Sequence, residues 1–300
     1  MNGVSVTNIF ERIIEVEELN KGWSDDKKYI GKDECGNKYL IRKSSLELKE
    51  IKRAEYAYLK KVSELDINVS KPIEYKEDDE YVYMLISWID GDDASDVIKT
   101  LNPEKQYKLG IVAGKYLKDI HTIKAEVTSI WEEKFNYKID KKIRRYRDAD
   151  IEVEGADMLI KYVETHRYLL KGRKQSFHHG DYHIANMIIN DNKELGIIDF
   201  NRFDFGDPWE EFNRIVWSAQ ISEEFATGTI NGYFNNKVPS DFFELMALYI
   251  GVSQIGGLVW GYEYSESQYK VILKLFKDVL SWYDNFERVV PSWYKGIINY

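Results

Sequence analysis

Apolar positions recur at strand-like intervals through the first ninety residues and at mostly helical intervals after them. Residues 12–19 (RIIEVEEL) and 38–42 (KYLIR) are short runs rich in β-branched or aromatic side chains, and Gly36-Asn37 stands where a hairpin turn would sit. Between 46 and 65, Leu48, Ile51, Tyr58, Leu59 and Val62 recur at three- and four-residue steps, which predicts a helix. Runs at 69–75 and 81–88 predict two more strands, separated by the acidic turn 77–80. Beyond Gly91, Asn102-Pro103-Glu104 reads as a helix start, and Leu109, Val112, Ala113, Tyr116, Leu117 and Ile120 continue one apolar stripe. A second helical tract covers 156–170. The period then shortens across 177–200, with strand-like runs at 187–190 and 195–200 around the turn Asn190-Asp191-Asn192. From Trp209 helices dominate. The pattern predicts an α+β chain of two lobes: a small β-rich lobe with one helix over 1–90, a connector at 87–91, and a larger, mainly helical lobe over 91–300 that holds a short hairpin.

Residues 245–262 carry no formal charge, and 18 such residues approach the length of a membrane span. Ser253, Gln254 and the glycines at 251, 256, 257 and 261 dilute the run, so a buried core helix is expected and no membrane association. The 300 residues hold 42 Lys+Arg against 51 Asp+Glu, a net charge of −9, with 44% hydrophobic residues. That much apolar surface excludes a disordered chain. A pI near 5.3 argues against binding nucleic acid or an anionic membrane by bulk charge. The basic run 138–147 (KIDKKIRRYR) is therefore expected to be a solvated helix face. Cys35, the one cysteine, excludes an intramolecular disulfide and a multi-cysteine zinc site. With no apolar run behind a basic head in the first thirty residues, a cytoplasmic setting is expected. No obligate protein partner is evident.

The informative segment is 178–200, HHGDYHIANMIINDNKELGIIDF. Asp181, Asn186 and Asp199 each stand where a loop meets a β-type apolar run, a place from which a scaffold holds a side chain toward a cleft. Moving a terminal phosphoryl group from a nucleotide to a hydroxyl needs Mg²⁺ on hard oxygen ligands and a carboxylate that orients the incoming hydroxyl. Asp181 and, five positions later, Asn186 supply a base and a metal-binding amide from one loop, and Asp199 supplies a carboxylate for metal and phosphates. The spacing is H-x-D-x-x-x-x-N followed by a strand and Asp-Phe.

This set resembles the aminoglycoside phosphotransferase and choline-kinase-like branch of the protein-kinase fold. HGDYHIAN is similar to that family's H-G-D-x-H-x-x-N loop, GIIDF to its metal-binding motif, and Gly206-Asp207-Pro208 to its G-D-P turn. Gly180 stands where a protein kinase has Arg, Asn201 stands where D-F-G has its Gly, and no A-P-E segment follows. The resemblance implies a small-molecule kinase that uses Mg²⁺ with ATP or GTP and lacks a phosphorylation switch. It implies a small cationic acceptor, with an aminoglycoside antibiotic first and choline, ethanolamine or an amino-sugar as the alternative. A catalytically silent, nucleotide-binding pseudokinase is the reading outside enzymes, and Asp181, Asn186 and Asp199 together count against it.

The same resemblance places a phosphate-contacting cation at Arg42, at the end of KYLIR, while strand alternation turns Lys43 the other way. Glu55 is the candidate ion-pair partner, with Glu50 as the alternative. The turn 20–25, including Ser24, would cover the phosphates, and the backbone at Ser87 and Ile89 within SWIDG would meet a purine. His179 and His183 have the i, i+4 spacing of a zinc-binding helix, and His178 and Asp181 could add ligands. Gly180 replaces the catalytic Glu of that motif, so loop scaffolding is the expected role of both histidines, and packing or capping that of His121. Asp207, Glu210 and Glu211 are the candidates for binding a cationic acceptor, although the same acids behind Pro208 also suit a capped helix start. Trp260, Tyr262 and Tyr264 could line a site for a quaternary amine.

Overall fold

The computed structural model describes residues 9–19, 26–125 and 129–298, which fall into two compact units. The first comprises the chain up to Asp92 together with Ile188–Asn201. Its sheet holds β1 (Glu15–Glu18), β2 (Lys27–Lys32), β3 (Lys38–Ser45), β4 (Pro72–Glu77) and β5 (Tyr81–Ser87), in the order β1-β2-β3-β5-β4. Every pairing is antiparallel. Alternation along β3 puts Ile41 into an apolar cluster with Phe10, Ile13, Tyr83 and Leu85, and turns Arg42 and Ser44 to the opposite face. The β2 strand was not predicted, because three of its six residues are lysines.

Ser45 accepts the Glu47 N–H and opens a short 3₁₀ turn, after which α1 (Lys49–Ser63) begins. Its buried stripe, Lys52, Glu55, Leu59 and Val62, follows the helical period but begins with two charged residues. Both are used in the site described below.

The hairpin of β8 (Met187–Ile189) and β9 (Leu195–Ile197) shifts the expected boundary at 90/91. The Ile197 N–H donates to the Asn68 carbonyl at 2.9 Å, and the Ser70 N–H donates to the Ile197 carbonyl at 3.3 Å. This backbone pairing attaches residues 188–201, and Asp199 with them, to the first unit. Local sequence pattern carries no signal for pairing across that separation.

The second unit comprises Asp93–Met187 and Arg202–Tyr300 and is mainly helical. It begins within β6 (Asp92–Asp93) and continues through α2 (Ala94–Val97) into α3 (Pro103–Ile120), whose cap is Asn102, accepting the Lys105 N–H. There follow α4 (Trp131–Asp148), α5 (Ala156–His166), α6 (Ile215–Ala219), α7 (Glu223–Tyr233), α8 (Phe242–Tyr264) and α9 (Glu266–Trp282). Strands β7 (Ser176–His178) and β10 (Asp204–Gly206) pair antiparallel, joining His178 to Asp204. The uncharged run expected as a core helix lies in α8, which is mostly buried.

The basic run departs from its expectation. Phe135, Ile139, Ile143 and Tyr146 pack α4 onto the unit, and Lys138 and Lys142, one turn apart, lie half-buried beside that stripe. Lys141, Arg144, Arg145 and Arg147 keep the solvated face.

Candidate active site

In the first unit, Arg42 is 2% exposed and carries carboxylates on both ends of its guanidinium. Nη1 donates to Glu55 Oε1 at 2.7 Å, Nη2 donates to Asp26 Oδ2, and Asp199 Oδ1 lies 3.6 Å from Nη1. Lys52 Nζ bridges the two acids, at 2.7 Å to Asp26 and 3.1 Å to Glu55. The Ser44 hydroxyl donates to Asp26 Oδ1 at 2.6 Å. Burial pushes the Asp26 carboxyl up, but the charges of Arg42 and Lys52 and the hydrogen bonds from Lys52 and Ser44 outweigh it and hold the group at about 2. Lys28 Nζ lies 3.6 Å from the other Asp199 oxygen, and Asp199 itself has φ +66°, a strained conformation for a side-chain-bearing residue.

The structure therefore pairs Arg42 with Glu55, while Glu50 stays on the surface with Arg53 and Lys43 lies over the Tyr81 ring. Asp26 and Lys52 were missed; the one sequence signal was Lys52 standing three residues before Glu55 on the same helical face. Ser24 and the rest of the turn 20–25 lie outside the described residues. The Ser87 N–H and hydroxyl are both engaged with the Lys71 backbone, at 2.8 and 2.7 Å, whereas Ile89 follows the strand and packs against Gly196.

In the second unit, the loop after β7 is held from below by one carboxylate. Glu211 accepts the His179 N–H at 2.8 Å on Oε2 and the Gly180 N–H at 2.6 Å on Oε1. His121 Nε2 lies 3.3 Å from Oε2, and its Nδ1 is 2.9 Å from the Tyr233 hydroxyl. Burial keeps His121 neutral, pulling it down to about 3 against the opposing charge of Asp207, and burial likewise raises Glu211. Gly180 has φ +85°, and a Cβ there would stand 1.8 Å from the Arg202 carbonyl oxygen, so the loop passes the turn at Arg202 with backbone alone. The Tyr182 hydroxyl donates to the Ala113 carbonyl of α3 at 2.7 Å and fixes the far side.

Asp181 projects from this loop with Arg214 Nε at 3.2 Å, His183 Nε2 at 3.6 Å and Arg202 Nη1 at 3.8 Å. Burial acts to raise its carboxyl, yet the His183 hydrogen bond and the charges of Arg214 and Arg202 hold it far below the usual carboxylate range. Asn186 Nδ2 donates to the Asp181 backbone carbonyl at 2.8 Å, so the amide oxygen is the end this bond does not use. That oxygen in the second unit and the Asp199 carboxylate in the first are each a hard donor of the kind Mg²⁺ takes. The histidines do loop work: His179 Nδ1 accepts the Asp181 N–H and His183 Nδ1 the Ala185 N–H. Among the described residues no three His, Cys, Asp or Glu side chains are placed to hold a metal, so the zinc reading has no ligand set.

The acids expected to meet a cationic acceptor need correction. Asp207 is fully buried, gripped by Arg173 at 2.6 and 3.0 Å and by the Tyr249 hydroxyl at 2.7 Å, and caps the following turn through the Trp209 N–H. Glu211, 2% exposed, is the loop support just described. Glu210 is paired with Lys138 at 2.9 Å and lies 3.6 Å from His178. Asp207 and Glu211 are used inside the fold because the 3₁₀ helix starting at Pro208 is packed over β7 and the loop that follows it, whereas Glu210 also lines the cavity described below. Trp260, Tyr262 and Tyr264 sit on an exposed face at the end of α8.

Comparison with known proteins bears on the family and the fold. Residues 15–245 match the phosphotransferase enzyme family designated APH. No curated protein sequence matches the chain. Among solved structures it is similar to the ADP-bound aminoglycoside phosphotransferase APH(2'')-Ib, at 17% identity and TM-score 0.61, covering 88% of this chain and 94% of that one. It is also similar to the amicoumacin kinase hAmiN in complex with AMP-PNP, Ca²⁺ and Ami, at 14% identity and TM-score 0.61, covering 92% of this chain and 90% of that one. A third similar structure is a putative fructosamine-3-kinase from Haemophilus somnus, at 15% identity and TM-score 0.62, covering 89% and 92%. These likenesses show the kinase-like fold, and with the family match spanning most of its length, the chain belongs to the phosphotransferase enzyme family.

Proposed function

We propose that this protein transfers the terminal phosphoryl group of ATP or GTP to a hydroxyl of a small molecule, with Asp181 as the group that receives the hydroxyl. The observation that carries this reading is the loop Gly180–Asn186, anchored on Glu211, which presents one ionised carboxylate and one oriented amide oxygen. In the reaction the acceptor oxygen bonds to the γ-phosphorus while the bond to the β–γ bridging oxygen breaks. The nucleoside diphosphate leaves, and the hydroxyl proton passes to Asp181. A carboxylate with so low a proton affinity is a weak base in the ground state. Its contribution is to orient the hydroxyl and to take the proton late, as a loose phosphoryl-transfer transition state permits.

Arg42, held in place by Glu55, is the group we assign to the nucleotide phosphates. Asn186 and Asp199 would hold Mg²⁺, which would neutralise charge on those phosphates. Ile89 is assigned to the purine. The resemblance implied an aminoglycoside or choline-like acceptor with Asp207, Glu210 and Glu211 as candidate contacts; Asp207 and Glu211 are engaged inside the fold, and Glu210 is already paired with Lys138. The acceptor is thus read here as a small hydroxyl compound of unspecified charge.

The test is Asp181→Asn. Phosphoryl transfer, followed by phosphorus NMR, is expected to fall about 10³-fold, while Mg-nucleotide affinity by titration calorimetry stays at the wild-type value. A variant that turns over like the wild type removes Asp181 from the chemistry. Nucleotide binding without transfer to any acceptor, in the wild type, favours the silent pseudokinase.

A further inference from the structure

A cavity of about 200 Å³ lies within the second unit, with Gly180, the residue before Asp181, in its wall. Arg202 and Arg214, the two cations on the Asp181 carboxylate, form part of its wall, and Lys138 and Lys142 of α4 form another part. Two carboxylates, Asp204 and Glu210, face these four cations, and each already has a lysine: Lys134 at 3.3 Å from Asp204 and Lys138 at 2.9 Å from Glu210. Lys142 has no carboxylate within ion-pair distance among the described residues; its Nζ donates to the Val252 carbonyl at 3.1 Å. Arg202 and Arg214 share the single carboxylate of Asp181. The cavity holds more positive charge than the protein neutralises.

A second observation shows that the placement of Lys142 is built in. Its stem crosses α8 at Gly256, where an added Cβ would lie 2.8 Å from Lys142 Cε, so the glycine that dilutes the apolar helix gives the lysine passage. Enclosing an ammonium group without a counter-ion is costly. Burial, the neighbouring Lys138 and Arg214 draw Lys142 down to about 7 against the pull of Glu210. The partner this group lacks is an anion.

We infer that the cavity is the acceptor site and that the acceptor is a small hydroxylated anion, its carboxylate or phosphate group seated on Lys142 and the two arginines with a hydroxyl at Asp181. This rests on the phosphotransferase reading, since it identifies the acceptor by its position next to Asp181. The volume agrees: drug-sized ligands occupy cavities of about 300–1,000 Å³, and this smaller one suits a single sugar-sized acid or phosphate ester. A polycationic aminoglycoside would meet like charge there.

The experiment has two arms. In the first, wild-type protein with Mg-ATP or Mg-GTP is offered gluconate, a hexose phosphate, sorbitol and gentamicin, with transfer followed by phosphorus NMR. Transfer is expected only to the anions, and which of the two reacts separates a carboxylate from a phosphate source. Lys142→Met is expected to raise KM for that acceptor about tenfold or more with kcat nearly kept. Gly256→Ala, which deflects the lysine stem without deleting the amine, is expected to act in the same direction, and Lys142→Arg to restore binding. In the second arm, which needs no turnover, reductive methylation of Lys142 near neutral pH is read by peptide mass spectrometry, with inorganic phosphate or gluconate as the probe. Slower labelling in their presence is expected. Protection without transfer to any acceptor keeps the anion site and removes the phosphotransferase reading. Transfer to gentamicin with no protection keeps that reading and overturns the anion site, as do an unchanged KM in Lys142→Met and a wild type with neither protection nor transfer.

Discussion

Replacing Gly180 by Ala tests whether the position of the loop, rather than its mere presence, supports the chemistry. The new Cβ would start 1.8 Å from the Arg202 carbonyl oxygen and 2.4 Å from its carbon, both backbone atoms, so no side-chain rotation relieves the contact. Reaching the closest separation that real Cβ atoms show, 3.0 Å, requires the two segments to part by more than 1 Å. The left-handed conformation adds about 1–2 kcal/mol for any residue with a Cβ. Loosening the charge-assisted bond from the Gly180 N–H to Glu211 adds about 1.5–3 kcal/mol. The expected loss of stability is about 3–5 kcal/mol, a large share of the 5–15 kcal/mol typical of a folded domain. A displacement of ~1 Å beside Asp181 is expected to lower kcat about 100-fold. Gly36→Ala is the control, because Gly36 has φ +81° with nothing within 4 Å of the added Cβ. It should lose only about 1–2 kcal/mol and keep full activity. Urea midpoints and steady-state turnover of both variants measure the difference. If Gly180→Ala behaves like Gly36→Ala in both assays, the argument that the Arg202 backbone and Glu211 fix the loop for catalysis is refuted.

Two further outcomes follow from the first unit. Asp199→Ala should weaken nucleotide binding about tenfold, or ~1.4 kcal/mol, with Mg²⁺ present and much less without it; calorimetric affinities that do not depend on Mg²⁺ would contradict the assignment. Asp26 is held at about 2 against its ordinary 3.8, so the unfolded chain binds its proton more tightly than the folded one. The resulting contribution of about 2 kcal/mol is fully present above about pH 4 and is lost as the pH falls from there toward 2. Asp26→Asn should lack that acid-dependent portion, and identical loss of stability in wild type and variant between about pH 5 and 2.5 would show that the network does not hold the carboxylate ionised.

What was legible in the sequence was what local pattern encodes. Strand alternation separated Arg42 from Lys43, and the spacing of Asp181 to Asn186 marked a loop that places a carboxylate and an amide together. What was not legible depends on contacts distant along the chain. Asp26 reaches Arg42 and Lys52 across sixteen and twenty-six residues, and Arg214 reaches Asp181 across thirty-three. The acids at 207, 210 and 211 show why residue type alone misleads. Near a helix start they satisfy equally a surface rim and a buried set of hydrogen bonds, and the loop after β7 supplies the backbone N–H groups that draw Glu211 inward. Likewise α4 has two faces of lysine and arginine that read alike, and only packing against α8 turns Lys138 and Lys142 inward.

Charge is balanced differently within each unit. In the first, Arg42, Lys52 and Lys28 meet Glu55, Asp26 and Asp199, three cations with three carboxylates. On the proposed reading, a highly charged triphosphate meeting this neutral set would gain little from the protein's own charge and would need cations of its own, for which the Asp199 carboxylate is a suitable ligand. In the second unit the cavity beside Asp181 has the opposite property, with cations in excess of carboxylates. A ligand there stabilises the site by supplying negative charge of its own. The net charge of −9 suggests neither property, because beyond about 10 Å salt screens the rest of the surface from an enclosed group. On the proposed reading, choice of acceptor would be set by the few charged side chains that line this cavity.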